Sequence, residues 1–213
     1  MAKLHFFYSV MNAGKTTHLL QVRYNYEQNG GKCLVITHAS DSRVKEGVVW
    51  SRLIKENIPA LALDVINGHE ILENFKKEHG QHPIAILVDE CQFFDKKAIQ
   101  EFSEIVDNYN IPVMCYGLKV DSNANLFPGS EALLIWAEDI KEIKQICHCG
   151  KKATHILRFD NEGNVLKNAP QFHVGAETSY VSVCRRCYKS DSIGVLAKSI
   201  INSKIIIEVK NGQ

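Results

Sequence analysis

The chain has 213 residues, enough for one ordinary domain with a small appendage, and it is 45% hydrophobic and 23% charged. Its net charge of +1 disfavours a protein that binds nucleic acid mainly through phosphate contacts, because such proteins carry a clear basic excess. Its apolar runs fall far short of the roughly 20 residues that span a bilayer, and no signal-peptide pattern opens the chain. We therefore expect a cytoplasmic protein.

Short apolar runs alternate with helical periodicity over the first 145 residues. The runs predict strands over Leu4–Tyr8, Cys33–Thr37, Leu61–Val65, Ile84–Val88 and Ile111–Leu118. The periodic segments predict helices over Thr16–Gln28, His69–His79 and Ala98–Asn108. Strands that alternate with helices are typical of βαβ units, so we predict an α/β fold with a mostly parallel sheet.

The pattern changes after residue 118. Asp121–Ser130 is predicted to be a loop, and Leu133–Ala137 is predicted to be helical. Short strands follow, over Thr154–Phe159 and Val181–Val183. We therefore expect an α/β domain over residues 1–145, a smaller domain over 146–190 and a tail of uncertain order over 191–213.

A phosphate-binding loop is predicted between the first strand and the first helix. Such a loop turns backbone N–H groups toward the phosphates, supplies a lysine and places a hydroxyl on Mg²⁺. Lys15 and Thr16 provide the lysine and the hydroxyl, while Ser9 stands where glycine is usual. The alternative is an ordinary helix start with Lys15 on the surface. The predicted loop comprises Ser9, Val10, Met11, Asn12, Ala13, Gly14, Lys15 and Thr16.

Two carboxylates follow a buried strand, at the edge where open α/β sheets place their ligands. Adjacent strand residues point to opposite faces, so Asp89 and Glu90 are expected to serve different purposes. Asp89, with Thr16, would hold magnesium, and Glu90 would act as a general base. A solvated acidic strand end is the alternative. The pattern leaves open whether Glu90 activates a substrate hydroxyl, as in a kinase, or water, as in a nucleic-acid motor.

Four of the seven cysteines form two tight pairs, which is unlike a disulfide framework. Two such pairs predict a tetrahedral zinc site with four sulfur ligands and no position for a substrate, hence a structural site. Four reduced core thiols are the alternative. Zinc would also tie residues 150–183 into a closed lasso. The predicted ligands are Cys147, Cys149, Cys184 and Cys187.

Together these motifs resemble the cytosolic-type (type II) thymidine kinase family, over most of the chain. The phosphate loop resembles the family's methionine-containing loop, and Asp41-Ser42-Arg43 resembles its Asp-x-Arg stretch. The block Asp89-Glu90-Cys91-Gln92-Phe93-Phe94 is similar to the family's Asp-Glu-x-Gln-Phe, and residues 180–188 resemble its signature at the second cysteine pair. The resemblance implies a RecA-like P-loop domain with a mostly parallel sheet, plus a small zinc-binding lasso domain over the nucleoside.

The resemblance also implies a reaction. The γ-phosphoryl group of ATP would pass to the 5′-hydroxyl of thymidine or deoxyuridine, with Mg²⁺, and structural Zn²⁺ would hold the lasso. Glu90 would accept the hydroxyl proton, and Lys15 would neutralise charge on the transferring group. Beyond the phosphate loop, the implied ATP-binding residues are Asp41, Ser42, Arg43, Asp89, Glu90, Cys91 and Gln92.

The same resemblance implies a nucleoside pocket. Its residues would be Met11, Phe93, Leu118, Phe127, Gln171, Phe172, His173, Val174, Gly175 and Tyr180. Two family positions differ in the lid loop, where Ser122 and Asn123 replace an aromatic and a basic residue. In addition, Val174-Gly175-Ala176 stands where Ile-Gly-Gly is common.

The family resemblance further implies feedback inhibition by thymidine triphosphate and a homotetramer. Two other functions stay open beside it: a P-loop ATPase that acts on nucleic acid through a zinc ribbon, and a catalytically silent zinc module. The charge balance disfavours the ATPase, and the intact Gly14-Lys15-Thr16 disfavours the silent module.

Overall fold

Ten strands and five helices are present in the part of the chain that the computed structural model describes, residues 1–40, 48–50, 57–168, 179–195 and 197. The strands are β1 (Leu4–Ser9), β2 (Cys33–His38), β3 (Val48–Trp50), β4 (Asn57–Pro59), β5 (Leu61–Leu63), β6 (Ala85–Asp89), β7 (Val113–Leu118), β8 (Asp139–Glu142), β9 (His155–Phe159) and β10 (Ser179–Val183). The helices are α1 (Lys15–Glu27), α2 (Gly68–His79), α3 (Lys96–Tyr109), α4 (Pro128–Trp136) and α5 (Arg185–Lys189), and a 3₁₀ turn covers Cys91–Phe93.

The chain divides into two units that interleave along the sequence. The first unit comprises Met1–Tyr8, Gly14–Lys119 and Phe127–Ile143, and the second comprises Ser9–Ala13, Val120–Leu126 and the chain from Lys144 on. No helix among the described residues is long and apolar enough to cross a membrane.

A six-stranded sheet forms the centre of the first unit, in the order β5-β2-β6-β7-β1-β8. Strand β2 pairs in parallel with β5 and β6, β6 pairs in parallel with β7, and β1 pairs in parallel with β8. The predicted α/β fold with a parallel sheet is confirmed. Parallel order brings the carboxyl ends of β6 and β7 to one edge of the sheet.

Apolar side chains cover both faces of this sheet. Ile86 and Val88 of β6 belong to one buried cluster, with Phe102 of α3, whereas Leu87 belongs to a second cluster, with Leu19 of α1. Burial of each such side chain contributes about 1.5–3 kcal/mol to the stability of the fold. Alternate residues of a strand face opposite layers, so a strand covered on both faces is apolar throughout.

Helix ends follow local capping chemistry. The side chain of Asn67 accepts a hydrogen bond from the N–H of Glu70 at the start of α2, and Asp95 accepts from Ala98 at the start of α3. Both helices end in a left-handed residue, Gly80 and Asn110 respectively. These caps fix the two helices that cover one face of the sheet.

Several elements differ from the sequence-based expectation. Helix α4 begins at Pro128, inside the segment predicted to be a loop, because proline at the first helical position needs no N–H partner. Strands β3 and β4 form an unpredicted antiparallel pair of three residues each, too short to show periodicity. The edge strand β8 and the five-residue helix α5 were not predicted either, for the same reason of length.

The second unit contains an antiparallel hairpin of β9 and β10. Its register places Tyr180 opposite Arg158 and Ser182 opposite Ile156. A turn follows β9, in which the N–H of Asp160 donates to the carbonyl of Asn164 at 3.1 Å. Helix α5 follows β10 directly, so the second cysteine pair lies where the hairpin ends.

Candidate active site

The predicted phosphate loop connects β1 to α1. Gly14 has a φ of +87°, a left-handed conformation that favours glycine, and its carbonyl accepts the N–H of His18 at 2.9 Å. Asn12 is also left-handed, with a φ of +59°. Lys15 opens α1 and is 7% exposed. The hydroxyl of Ser9 donates to the carbonyl of Val10 at 2.8 Å, so the serine that replaces the usual glycine bonds to the loop backbone.

The first carboxylate is held at the end of β6. Asp89 is 5% exposed, and its Oδ2 accepts a hydrogen bond from Thr16 Oγ1 at 3.1 Å. Its Oδ1 accepts the backbone N–H of Glu90 at 3.0 Å. A hydroxyl and a carboxylate at this separation are a donor set that suits Mg²⁺.

The second carboxylate does not continue the strand. Glu90 has a φ of +52°, in the left-handed region, so the expectation that two adjacent strand residues face opposite sides is wrong here. The chain turns sharply instead and enters the 3₁₀ turn. Glu90 is nevertheless 5% exposed, and its Oε2 accepts a hydrogen bond from Gln92 Nε2 at 2.6 Å. The backbone turn, and not strand alternation, gives the two acids different environments.

Gln92 joins this acid to the neighbouring strand. Its side chain is fully buried, and its Oε1 accepts the N–H of Leu118, at the end of β7, at 3.0 Å. Gly117 makes room for the amide, because a Cβ there would lie 2.7 Å from Gln92 Oε1 and 2.6 Å from Cys91 Sγ. The carboxylate of Glu90 is therefore oriented by a side chain that is itself bonded to the end of β7.

Cys91 differs from its neighbours, because its side chain belongs to the apolar core. It is fully buried, and burial raises the pKa of its thiol well above the usual range. Any contact of Cys91 with ATP would therefore come from its backbone.

Aromatic side chains lie near the end of β7 in the same unit. The rings of Phe93 and Phe127 meet edge to face, with centroids 5.8 Å apart, and Phe127 is 4% exposed. The hydroxyl of Ser130 donates to the carbonyl of Leu118 at 2.6 Å. Phe93 and Phe127, two of the predicted nucleoside contacts, thus touch each other. Sequence reasoning missed Ser130, since a buried serine has no distinctive pattern.

The second unit holds the loop residue Met11 through an unpredicted contact. Ser182 Oγ of β10 donates to the carbonyl of Met11 at 2.8 Å, and Gln145 Nε2 donates to the carbonyl of Asn12 at 2.7 Å. Ser182 lies two residues after Tyr180, on the same face of the hairpin. No sequence signal marked Ser182, because it falls within an ordinary strand pattern.

The lid-loop departures lie in a hydrogen-bonded turn of this unit. Asp121 is buried, and its Oδ1 accepts the N–H groups of Asn123 and Asn125 at 2.9 and 2.8 Å. The carbonyl of Ser122 accepts the hydroxyl of Tyr188 at 3.0 Å. Ser122 therefore contributes its backbone to the turn.

The four paired cysteines converge. Their sulfur atoms all lie within 4.8 Å of one another, and Cys149 Sγ lies 3.5 Å from Cys147 Sγ and 3.6 Å from Cys184 Sγ. In a tetrahedral zinc site with Zn–S distances of about 2.3 Å, sulfur atoms are about 3.8 Å apart, so this donor set fits zinc. Gly150, with a φ of +83°, permits the tight turn after the first pair.

The pKa values of the two thiols of the second pair, Cys184 and Cys187, are shifted in opposite directions. Backbone N–H donation from Cys187 lowers the pKa of Cys184 to about 6, whereas burial raises the pKa of Cys187 to about 12. A divalent cation among the sulfurs would offset the repulsion between thiolates and would favour the thiolate form of all four cysteines.

Two groups of predicted site residues lie outside the described residues. They are the ATP contacts Asp41, Ser42 and Arg43 and the nucleoside contacts Gln171, Phe172, His173, Val174 and Gly175.

A loop between a strand and a helix, ending in Gly-Lys-Thr, and an acid at the carboxyl edge of a parallel sheet define a P-loop nucleotide-binding protein. The thymidine kinase family model matches residues 2–188. The chain belongs to the thymidine kinase family, and the resemblance predicted from its motifs is confirmed. Membership makes it a nucleoside kinase that uses ATP.

Curated relatives support this family assignment over most of the chain. The thymidine kinase of Yersinia pseudotuberculosis is 47% identical over 190 residues, which cover 89% of this chain and 95% of that protein. The thymidine kinase of Haemophilus influenzae is 45% identical over 190 residues, 89% of this chain and 97% of the relative. That of Shewanella oneidensis is 44% identical over 191 residues, with the same two shares.

Proposed function

We propose that this protein transfers the γ-phosphoryl group of ATP to the 5′-hydroxyl of thymidine or deoxyuridine, giving the monophosphate for nucleotide salvage. The observation that carries the proposal is the carboxylate of Glu90, buried beside the Asp89–Thr16 pair and held by Gln92. A fixed, water-poor carboxylate at a phosphate site suits removal of a proton from a substrate hydroxyl.

In this proposal the loop residues 9–16 bind the phosphates of ATP through their backbone N–H groups. Lys15 neutralises charge on the transferring group, which the buried position of its side chain favours. Thr16 and Asp89 would hold Mg²⁺, which would neutralise further charge on the phosphates. Asp41, Ser42 and Arg43, with the backbone of residues 89–92, complete the proposed ATP contacts.

Glu90 accepts the proton of the 5′-hydroxyl as phosphoryl transfer proceeds. Gln92 acts by position and makes no contact with the reacting atoms, because its amide donates to one oxygen of the Glu90 carboxylate and is itself bonded to Leu118. General-base catalysis of this kind is worth about 10²–10⁴-fold.

The nucleoside is proposed to contact Phe93, Leu118, Phe127, Met11 and Tyr180, together with residues 171–175. The edge-to-face pair of Phe93 and Phe127 supports an aromatic wall for a planar base. Backbone groups of residues 171–175 would recognise the donor and acceptor pattern of a uracil-type base, which would exclude cytosine.

Structural Zn²⁺ on the four cysteines would fix the two ends of residues 150–183, within a proposed lasso domain over 146–190. By family resemblance we further propose a homotetramer in the cytoplasm that thymidine triphosphate inhibits.

One assay separates this function from its main alternative, a nucleic-acid-dependent ATPase. The protein is incubated with γ-labelled ATP, Mg²⁺ and either thymidine or single-stranded DNA. Labelled thymidine monophosphate is the expected product. Release of free phosphate that DNA stimulates, without labelled nucleotide, would replace the proposed reaction with the alternative.

A further inference from the structure

One arginine of the β9–β10 hairpin is buried without a counter-ion among the described residues. Arg158 is 4% exposed, and its Nε and Nη1 have no hydrogen-bond partner within the described part of the chain. A guanidinium keeps its charge at any physiological pH, and buried unpaired donors are costly. Nearly all buried donors in native proteins are paired, so this exception requires an explanation.

The position of Arg158 indicates what kind of partner is absent. It lies directly opposite Tyr180 in the hairpin, with its guanidinium carbon 5.9 Å from the centre of the tyrosine ring. Ser182, on the same face, donates to the carbonyl of Met11. One face of the hairpin therefore carries Arg158 beside Tyr180 and contacts Met11. Tyr180 and Met11 both belong to the proposed nucleoside pocket.

We propose that Arg158 is a nucleoside-binding residue that donates a charge-assisted hydrogen bond to an acceptor oxygen of the substrate. The acceptor is a carbonyl of the pyrimidine ring or the 3′-oxygen of the sugar, since these are stronger hydrogen-bond acceptors than the ring oxygen of the sugar and take no part in the reaction. Hydrogen bonds from guanidinium groups are among the stronger ones in proteins, and a ligand that completes them gains specificity. This inference rests on the proposed function.

The first test combines stability with affinity in Arg158→Met, which keeps an unbranched apolar stem and removes the charge. Because the free protein loses a buried charge with two unpaired donors, which outweighs one distant contact with the Tyr180 ring, its melting temperature should stay the same or rise. The Kd for thymidine, measured by calorimetry, should increase about tenfold to hundredfold, and the Kd for ATP should not change. Arg186→Met, at an exposed arginine of the same unit, is the matched control and should leave the three quantities unchanged.

The second test identifies the acceptor. Wild type and Arg158→Met are titrated with 2-thiothymidine, 4-thiothymidine and 3′-deoxythymidine, each of which weakens or removes one acceptor. Wild type should lose affinity for one analogue relative to thymidine, and Arg158→Met should not show that loss, because the bond is already absent. Equal losses in the two proteins for every analogue would overturn the inference.

Two further outcomes of the first test are also decisive. An unchanged thymidine Kd in Arg158→Met would exclude contact with the nucleoside. A melting temperature lower by several degrees would mean that Arg158 is paired in the free protein and stabilises the fold. If wild type itself neither binds nor phosphorylates thymidine, the proposed function fails; if wild type does both, only the role of Arg158 is at stake.

Discussion

The carboxyl ends of β6 and β7 differ from the β9–β10 hairpin in how their buried polar side chains are satisfied. At the ends of β6 and β7, Asp89, Glu90 and Gln92 all have hydrogen-bond partners, although they lie almost out of contact with water. On the β9–β10 hairpin, Arg158 is equally buried, yet two of its donors are unpaired within the described residues. The first arrangement is preorganised for proton and phosphoryl transfer. The second is an arrangement that a ligand would complete.

The largest effect is expected from removing the positive charge of Lys15 in the phosphate loop. Lys15→Ala should lower kcat/KM for ATP by about 10²–10⁴-fold, because charged hydrogen bonds to phosphates are worth about 1.5–3 kcal/mol each and act in both bound and transition states. Nucleotide titration measures the effect on ATP binding, and steady-state kinetics measure the effect on the transition state. Lys97→Ala, at an exposed position of α3, is the control. Wild-type-like ATP affinity in Lys15→Ala would remove the phosphate role of this lysine.

The next prediction tests whether ATP binding is independent of the proposed lasso domain over 146–190. Cys187→Ser should abolish stoichiometric zinc and either raise the thymidine KM or unfold the proposed lasso domain over 146–190, while ATP affinity is retained. Structural zinc supplies about 10–16 kcal/mol of apparent binding free energy in small folding units, so the local effect should be strong. Elemental analysis, thymidine kinetics and ATP titration are the measurements.

Cys33→Ser is the control for the zinc prediction. Burial raises the pKa of Cys33 to about 12, so this residue stays a thiol in β2 and should not affect the metal content. Active protein without zinc would refute the metal site. Loss of ATP binding with retained nucleoside binding in Cys187→Ser would contradict the proposed roles of the phosphate loop and the lasso domain.

A smaller effect is expected when Glu90 is kept but the side chain that donates a hydrogen bond to it, Gln92, is replaced. Gln92→Leu leaves Glu90 without its 2.6 Å donor and the N–H of Leu118 without an acceptor. We expect kcat to fall about tenfold to hundredfold with little change in the ATP KM, in line with the loss of a hydrogen bond to a charged group. Gln100→Leu, on α3, is the matched control. Full activity of Gln92→Leu would show that Glu90 needs no such support.

Gly117→Ala tests the same contact by crowding and should have the smallest effect. The added methyl would lie 2.7 Å from Gln92 Oε1, so the amide must shift and kcat should fall up to about tenfold. Gly31→Ala creates a similar clash, 2.6 Å from Ile84 Cδ1, away from the site, and should change stability without changing kcat. Equal kcat losses in the two variants would indicate a general effect of strain.

The fold and the chemistry were predictable where strong local patterns exist. The apolar run of β6, the Gly14-Lys15-Thr16 sequence and the cysteine pairs each follow from short-range rules, and the observed sheet and sulfur cluster agree with them. The conformation of Glu90 was not predictable, because a left-handed turn after a strand has no marker when the residue is not glycine.

Contacts between distant residues were also beyond the sequence. The bond from Ser182 to Met11 joins residues 171 positions apart, and the burial of Arg158 depends on the pairing of β9 with β10. Nothing in a strand sequence distinguishes a solvated arginine from a buried one, since both fit an alternating pattern. Such contacts depend on tertiary packing.

The most direct test of the account is the single-turnover rate of phosphoryl transfer by Glu90→Gln. With enzyme in excess over labelled ATP and with saturating thymidine, rapid quenching isolates the chemical step from product release. Glutamine keeps the shape and the contact with Gln92 but accepts no proton, so the rate of thymidine monophosphate formation should fall about 10²–10⁴-fold, with ATP affinity nearly intact. A single-turnover rate equal to that of wild type would contradict the assignment of Glu90 as the base.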